Sequence, residues 1–197
     1  MKKLIIFGSI MFFLASMFIS CEPAIEENIG NSYILMSRSN MTVTFTDTLT
    51  VYGTDTLYNN LKDTTFLSVG VYQSGLSATY PEVDLKVMID SVYLYSLIQQ
   101  ANDPNVPDVQ KSSLVLAYKN AKILPASCYQ FTPDVKIEAG KLVGNVNLVV
   151  SKSKFAKLKL ANMFLPIAID TTSVKGVNKD KAISVVQFKN AFVIKKL

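Results

Sequence analysis

Two cysteines, a cluster of lysines and a repeated aspartate are the side chains whose types and spacing could do chemistry in this sequence. Histidine is absent, which removes imidazole acid-base catalysis, Ser-His and Cys-His nucleophiles, and most zinc, copper and non-haem iron sites. Asp47-Thr48, Asp55-Thr56 and Asp63-Thr64 recur every eight residues. Spaced carboxylates can converge on a hard cation such as calcium. Asp-Thr pairs near Gly53 and Asn59-Asn60 also punctuate turns through local side-chain to backbone bonds, and turn punctuation is the preferred reading. Lys152, Lys154, Lys157 and Lys159 surround Phe155, Leu158 and Leu160, making either a solvated face or a contact for an acidic glycan or lipid headgroup. Cys128, in Ala126-Ser127-Cys128-Tyr129, has no basic neighbour to favour its thiolate and reads as a small buried hydrophobe. No metal or cofactor is called for.

Cys21 sits in a different context. Lys2 and Lys3 precede an uncharged apolar stretch from Leu4 to Ile19, which stops at Ser20-Cys21 and is followed by Glu22-Pro23. That is the make-up of a secretory signal peptide over residues 1–20, and it falls short of the roughly 20 apolar residues a spanning helix needs. Phe18-Ile19-Ser20-Cys21 resembles the lipobox of bacterial lipoproteins, with Phe18 where leucine is usual. The resemblance implies acylation of Cys21 and a membrane anchor at the new N-terminus. Residues 21–30 then form a tether: Glu22 to Asn28 is acidic, carries a proline, and is similar to the stretch that follows the lipidated cysteine in surface-exported lipoproteins of Bacteroidetes-type bacteria. With Cys21 acylated, Cys128 is alone and no intramolecular disulfide forms.

The 197 residues are 49% hydrophobic and 18% charged, which excludes disorder, collagen-like repetition and a polytopic membrane chain. A single domain over 31–197 is expected. Charge divides by halves. From Glu22 to Gln110 there are 3 basic and 11 acidic residues, while Lys111 to Leu197 holds 15 lysines and 4 acids. Gathered at opposite ends, these would make a strong dipole; interleaved in one fold they would pair, which is the expected arrangement. Arg38 is the only arginine, so bidentate phosphate and base-edge contacts are scarce, and with export this argues against nucleic acid as a partner.

The elements that would position these residues are mostly strands. From Met41 to Val51 threonines alternate with apolar residues, interrupted at Asp47, where a bend, bulge or turn is expected. Leu67, Val69 and Val71, then Val83, Leu85, Val87 and Ile89, repeat the period. Asp90 or Ser91 caps a helix over Val92 to Ala101, with Tyr95, Ile98 and Val92 on one face, and Asn102 to Pro107 ends it. A further helical turn or two fits between Asp108 and Asn120. Strands resume at Val135 to Glu138 and Leu142 to Val150, joined across Gly140. In Phe164 to Asp170 the early Pro166 points to an edge strand or a strand start. Ala182 to Lys195 closes the chain as a strand or hairpin. The pattern predicts an all-β, antiparallel, immunoglobulin-like sandwich with one or two short helices inserted around residues 91–121.

Val83-Asp84-Leu85-Lys86-Val87-Met88-Ile89-Asp90, Leu114 to Asn120, Ile123-Leu124-Pro125 with Tyr129, Val135 to Lys141 and Phe164 to Ile169 together resemble an all-β domain of unknown function common in Bacteroidetes lipoproteins. Residues Val92 to Ser112 look like an insertion relative to it. In that family the domain often follows the lipobox, ahead of glycan-active modules such as surface endo-β-N-acetylglucosaminidases. The resemblance carries no catalytic residues, so a non-enzyme is expected, although a two-carboxylate glycosidase needs no histidine. It implies an outer-membrane, surface-exposed lipoprotein accessory to glycan binding or uptake, with the nine tyrosines available to stack on sugars. A structural or adhesin-like subunit of a surface protein complex is the alternative, using exposed sheet edges and the lysine-rich half.

Overall fold

The computed structural model describes residues 33–46, 48–52, 55–58, 63–75, 80–158 and 162–196, with backbone alone at 49–52, 55–58 and 194–196. The alternating segments become two facing sheets. One holds β1 (Tyr33–Met36), β5 (Thr64–Ser74), β9 (Val143–Ser151) and β7 (Tyr129–Phe131), in the order β1-β5-β9-β7, antiparallel throughout. The other holds β2 (Asn40–Phe45), β11 (Ile183–Asn190), β10 (Asn162–Ile169), β6 (Val83–Ile89) and β8 (Asp134–Ile137), in the order β2-β11-β10-β6-β8. Because side chains alternate across a strand, one parity of each sheet meets the other sheet. Val69, Val71, Val146, Leu148 and Val150 pack on Leu85, Ile137, Leu165, Ile167, Val186 and Phe188 in one continuous core. The expected all-β sandwich with short helices inserted around 91–121 is the observed architecture.

Among the named strands pairing is antiparallel except that β2 runs parallel to β11 and β3 (Thr48–Tyr52) runs parallel to β12 (Val193–Lys196). β3, β12 and β4 (Asp55–Tyr58) form a separate three-stranded sheet. The Met41 to Val51 pattern is thus divided between two sheets at its interruption, although Asp47 itself lies outside the described residues.

Two findings differ from the sequence expectations. Pro166 lies inside β10, which has neighbours on both sides, and not at an edge. On the side away from β11, Phe164 exchanges backbone bonds with Lys122 and Leu124, whereas the Pro166 carbonyl accepts from Asp90 N–H just before β6 takes over as neighbour. The missing proline N–H therefore falls where one bordering segment hands over to the next, so no ladder bond is lost. The second difference concerns the helix. α1 (Ser91–Asn102) begins at Asp90, whose side chain accepts from Tyr93 N–H, as expected of an N-cap. It buries Leu94, Leu97 and Ala101, however, and leaves Val92 and Tyr95 exposed. With α2 (Ser113–Leu116) and Tyr118 it covers Phe164 and Val185 on the outer face of the five-stranded sheet. β10 is consequently buried on both faces, which is why Met163 to Ile169 reads as an unbroken apolar run.

At the opposite margin the connection from β8 to β9 turns at Gly140, whose φ of +77° suits glycine, and carries the chain from one sheet to the other. Gly144 lies so close beneath β8 that an added Cβ would stand 2.7 Å from the Lys136 carbonyl oxygen.

Candidate functional site

Helices α1 and α2 lie over Phe164 and Val185 of the five-stranded sheet, while the outward side chains of the other sheet include the exposed Tyr33, Phe66 and Val143. Its outward parity presents Tyr33 on β1; Phe66, Ser68 and Tyr72 on β5; and Val143, Asn145 and Asn147 on β9. Register places Phe66 opposite Val149, Ser68 opposite Asn147, Gly70 opposite Asn145, and Tyr72 opposite Val143. Phe66 is 75% exposed in the body of a long strand, where a ring of that size is usually covered. Ser68 Oγ donates to Asn145 Oδ1 at 2.9 Å, leaving that amide's N–H groups directed to other partners. Phe66 and Tyr72 stand about 20 Å apart along β5, at roughly 3.3 Å per residue. None of the outward residues just named carries a charge.

The face ends in a cleft of about 440 Å³ lined by Asp63, Thr64, Ser127, Gln130, Ser151 and Lys154, among others. Three bonds build this corner. Lys152 N–H donates to the Asp63 carbonyl at 2.7 Å, Ser153 N–H to Asp63 Oδ1 at 2.7 Å, and Ser151 Oγ to Asp63 Oδ2 at 2.8 Å. Partial desolvation pushes the Asp63 carboxyl up, but the Ser153 and Ser151 bonds and the nearby Lys154 charge outweigh it and hold the pKa below the ordinary value. Asp63, the last member of the eight-residue repeat, thus fastens a segment 90 residues away, a stronger role than local turn punctuation. Asp47 and the Asp55 side chain lie outside what is described.

The lysine cluster is placed by α3 (Lys152–Lys157), a single short helix capped by Ser151 and pinned by Phe155. Phe155 is fully buried, its ring centroid 5.1 Å from Phe45 and 6.2 Å from Phe188. Helical spacing puts Lys154 and Lys157 on one side of α3, three residues apart, and turns Lys152 another way. Lys154 reaches the cleft, and Lys159 lies outside the described residues, as does Cys21. Cys128 is buried, as its setting implied. The open face was missed in the sequence, where Phe66 stands just ahead of the Leu67, Val69, Val71 pattern and draws no notice.

The outer face of the five-stranded sheet is different in kind. There Asp84 stands opposite Lys136 and Lys86 opposite Asp134, and Lys136 Nζ lies 2.8 Å from Glu82 Oε1. The Glu82 hydrogen bond and charge raise the Lys136 pKa above its usual value.

A family model described as a "-like, N-terminal domain" matches residues 32–176. The chain belongs to this family of N-terminal domains. No curated protein matches it. Among solved structures, a Bacteroides ovatus protein to which carbohydrate binding is provisionally ascribed is 15% identical, with a TM-score of 0.53, over 80% of this chain and 36% of that one. A two-domain Bacteroides fragilis protein of unknown function is 12% identical, with a TM-score of 0.50, over 87% of this chain and 51% of that one. EndoBT-3987 of Bacteroides thetaiotaomicron, solved with a Man5GlcNAc product, is 16% identical with a TM-score of 0.48, over 80% of this chain and 31% of that one. With the first two what is shared is the fold alone, and this chain spans between about a third and a half of each solved chain.

Proposed function

We propose that this chain is a non-catalytic, lipid-anchored accessory domain that holds an uncharged glycan against the outer face of its four-stranded sheet. The observation that carries this reading is Phe66, 75% exposed on a face that also presents Tyr72, Tyr33, Ser68, Asn145 and Asn147. A ring stacks on the apolar face of a sugar, and neighbouring amides and hydroxyls both donate to and accept from its hydroxyl groups. Support from outside the chain comes from the carbohydrate binding provisionally ascribed to the Bacteroides ovatus protein of the same fold. The lipobox-like Phe18-Ile19-Ser20-Cys21 supports the anchor and, with the acidic tether after it, a place on the outer-membrane surface.

A glycan array probed with the intact protein and with Phe66→Ala tests the first part. Loss of the ring is expected to weaken binding about tenfold, the equivalent of one good stacking contact. An array with no bound glycan would sink the reading. Labelling with a fatty-acid analogue tests the second part, since Cys21→Ala is expected to incorporate none and equal incorporation would refute it. The alternative, a structural or adhesin-like subunit, draws on the exposed Val92, Tyr95, Val109 and Leu114 of the helical insertion. It would gain if these residues, and not Phe66, governed which outer-membrane proteins co-purify.

A further inference from the structure

The cleft at the end of the sheet face is continuous with it. Thr64, Gln130, Val149 and Ser151 are outward positions of β5, β7 and β9, and all four also line the cleft. Beyond them Ala126 to Cys128 and Lys154 of α3 line the far side, so a ligand lying along the face runs into a half-open recess. Resting on the glycan reading above, we infer that this recess receives the end residue of the bound glycan and recognises two neighbouring hydroxyl groups on it through Asp63 and Lys154.

The donor and acceptor inventory fits that ligand. Asp63 spends one bond at each carboxylate oxygen on the serines of the α3 corner, and each oxygen retains a further lone pair. Lys154 brings an ammonium with three donors, and Gln130 brings an amide that both donates and accepts. One hydroxyl of an adjacent pair can donate to the carboxylate while the other accepts from the ammonium, each bond strengthened by the charge on the protein partner. A carboxylate and an ammonium in one recess offset each other, so an acidic sugar gains nothing over a neutral one. The volume, about 440 Å³, is in the range of small-molecule sites and too small for an extended chain.

The test uses the intact protein and a panel of six-sugar, 1,3-linked oligosaccharides of glucose, galactose and mannose, each before and after mild periodate oxidation. Internal 1,3-linked sugars have no neighbouring hydroxyl pair, so periodate opens the end residues and spares the rest. Binding to at least one member is expected to fall about tenfold on oxidation, as removal of one charge-assisted hydrogen bond would produce. Lys154→Met and Gln130→Ala should weaken the intact oligosaccharide and leave the residual affinity for its oxidised form unchanged, whereas Phe66→Ala should weaken both. Equal binding of intact and oxidised chains, with Phe66→Ala still impaired, would overturn the end-residue site and leave the sheet-face reading standing. The end-residue site is overturned equally if Lys154→Met and Gln130→Ala bind the intact chain within about twofold of wild type. A panel with no binder at all overturns both.

Discussion

Gly144 shows how much one residue type decides here. Its position on β9 follows from the alternation of Val146, Leu148 and Val150, all inward like itself. Why it must be glycine appears only when β8 is laid over it, because a Cβ would meet the Lys136 carbonyl oxygen at 2.7 Å and Val135 Cγ1 at 2.8 Å. A backbone oxygen cannot move aside as a side-chain tip can. Gly144→Ala should therefore destabilise the domain by about 1–3 kcal/mol, the usual cost of overpacking a closed site. Thermal unfolding followed by circular dichroism would show it as a fall of about 2–4 °C per kcal/mol. An unchanged midpoint would mean that the two sheets separate freely at this corner. Legibility has the same limit elsewhere at this scale: Cys128 was readable as buried because its own surroundings say so. Phe66 was not readable as exposed, because that depends on which elements leave the sheet face bare.

Among the elements, strands with one wet face were the easiest to foresee, and β10 was the hardest. Its burial on both faces comes from α1 and α2 folding over the five-stranded sheet, and both helices lie far upstream of it in the chain. Pro166 misled for a related reason, since a proline is excluded only where its N–H would have had a partner. In α1 the expected face of Val92, Tyr95 and Ile98 is split: Leu94, Leu97 and Ala101 are buried with Ile98 packed beside them, while Val92 and Tyr95 face outward. Leu94 and Leu97 are each worth about 2 kcal/mol on burial, enough to decide the rotation of a single short helix. The C-terminal end of α1 depends on Lys111, whose side chain is 6% exposed. Its Nζ donates to the carbonyls of Ala101 and Asp103 at 2.9 Å each and to Asp108 Oδ1 at 3.2 Å. Lys111→Met keeps the stem and removes the donors, and should cost about 2 kcal/mol, because hydrogen bonds from a charged group are lost while the carbonyls stay covered. Hydrogen exchange should quicken first at the end of α1; uniform quickening would count against a capping role. Asp108 joins this network through Lys119 and Lys111, which hold its pKa below the ordinary carboxylate value. A depressed carboxylate stabilises the folded form above its unfolded pKa and ceases to do so as pH falls through the folded value. Local loosening of this loop is accordingly expected only on acidification below the ordinary carboxylate range and not near neutral pH.

The whole molecule settles how its unequal halves are arranged. Strands of the acidic first half lie beside strands of the lysine-rich second half in five pairings: β2 with β11, β3 with β12, β5 with β9, and β6 with both β8 and β10. The charges follow the strands, so Asp84 faces Lys136 and Lys86 faces Asp134, while Asp108 takes Lys111 and Lys119 and Glu82 takes Lys136. Surface pairs of this kind are screened by solvent, so they tune register without holding the fold together. Two consequences follow for a chain whose sequence pI is 9.1. Raising salt from about 0.05 to 0.5 M should change the unfolding free energy only slightly, because few pairs are both strong and exposed to screening. Binding to vesicles containing phosphatidylglycerol, measured with Cys21→Ala so that no acyl chain takes part, should be weak even at low salt if interleaving of the strands also spreads their charges. Tight vesicle binding that salt reverses would show that Lys152, Lys154 and Lys157, with Lys159 beside them, act together as an anionic contact. The end-residue site would then have to be separated from that contact by comparing Lys154→Met with Lys157→Met, because Lys154 alone lines the recess while both would serve an anionic surface.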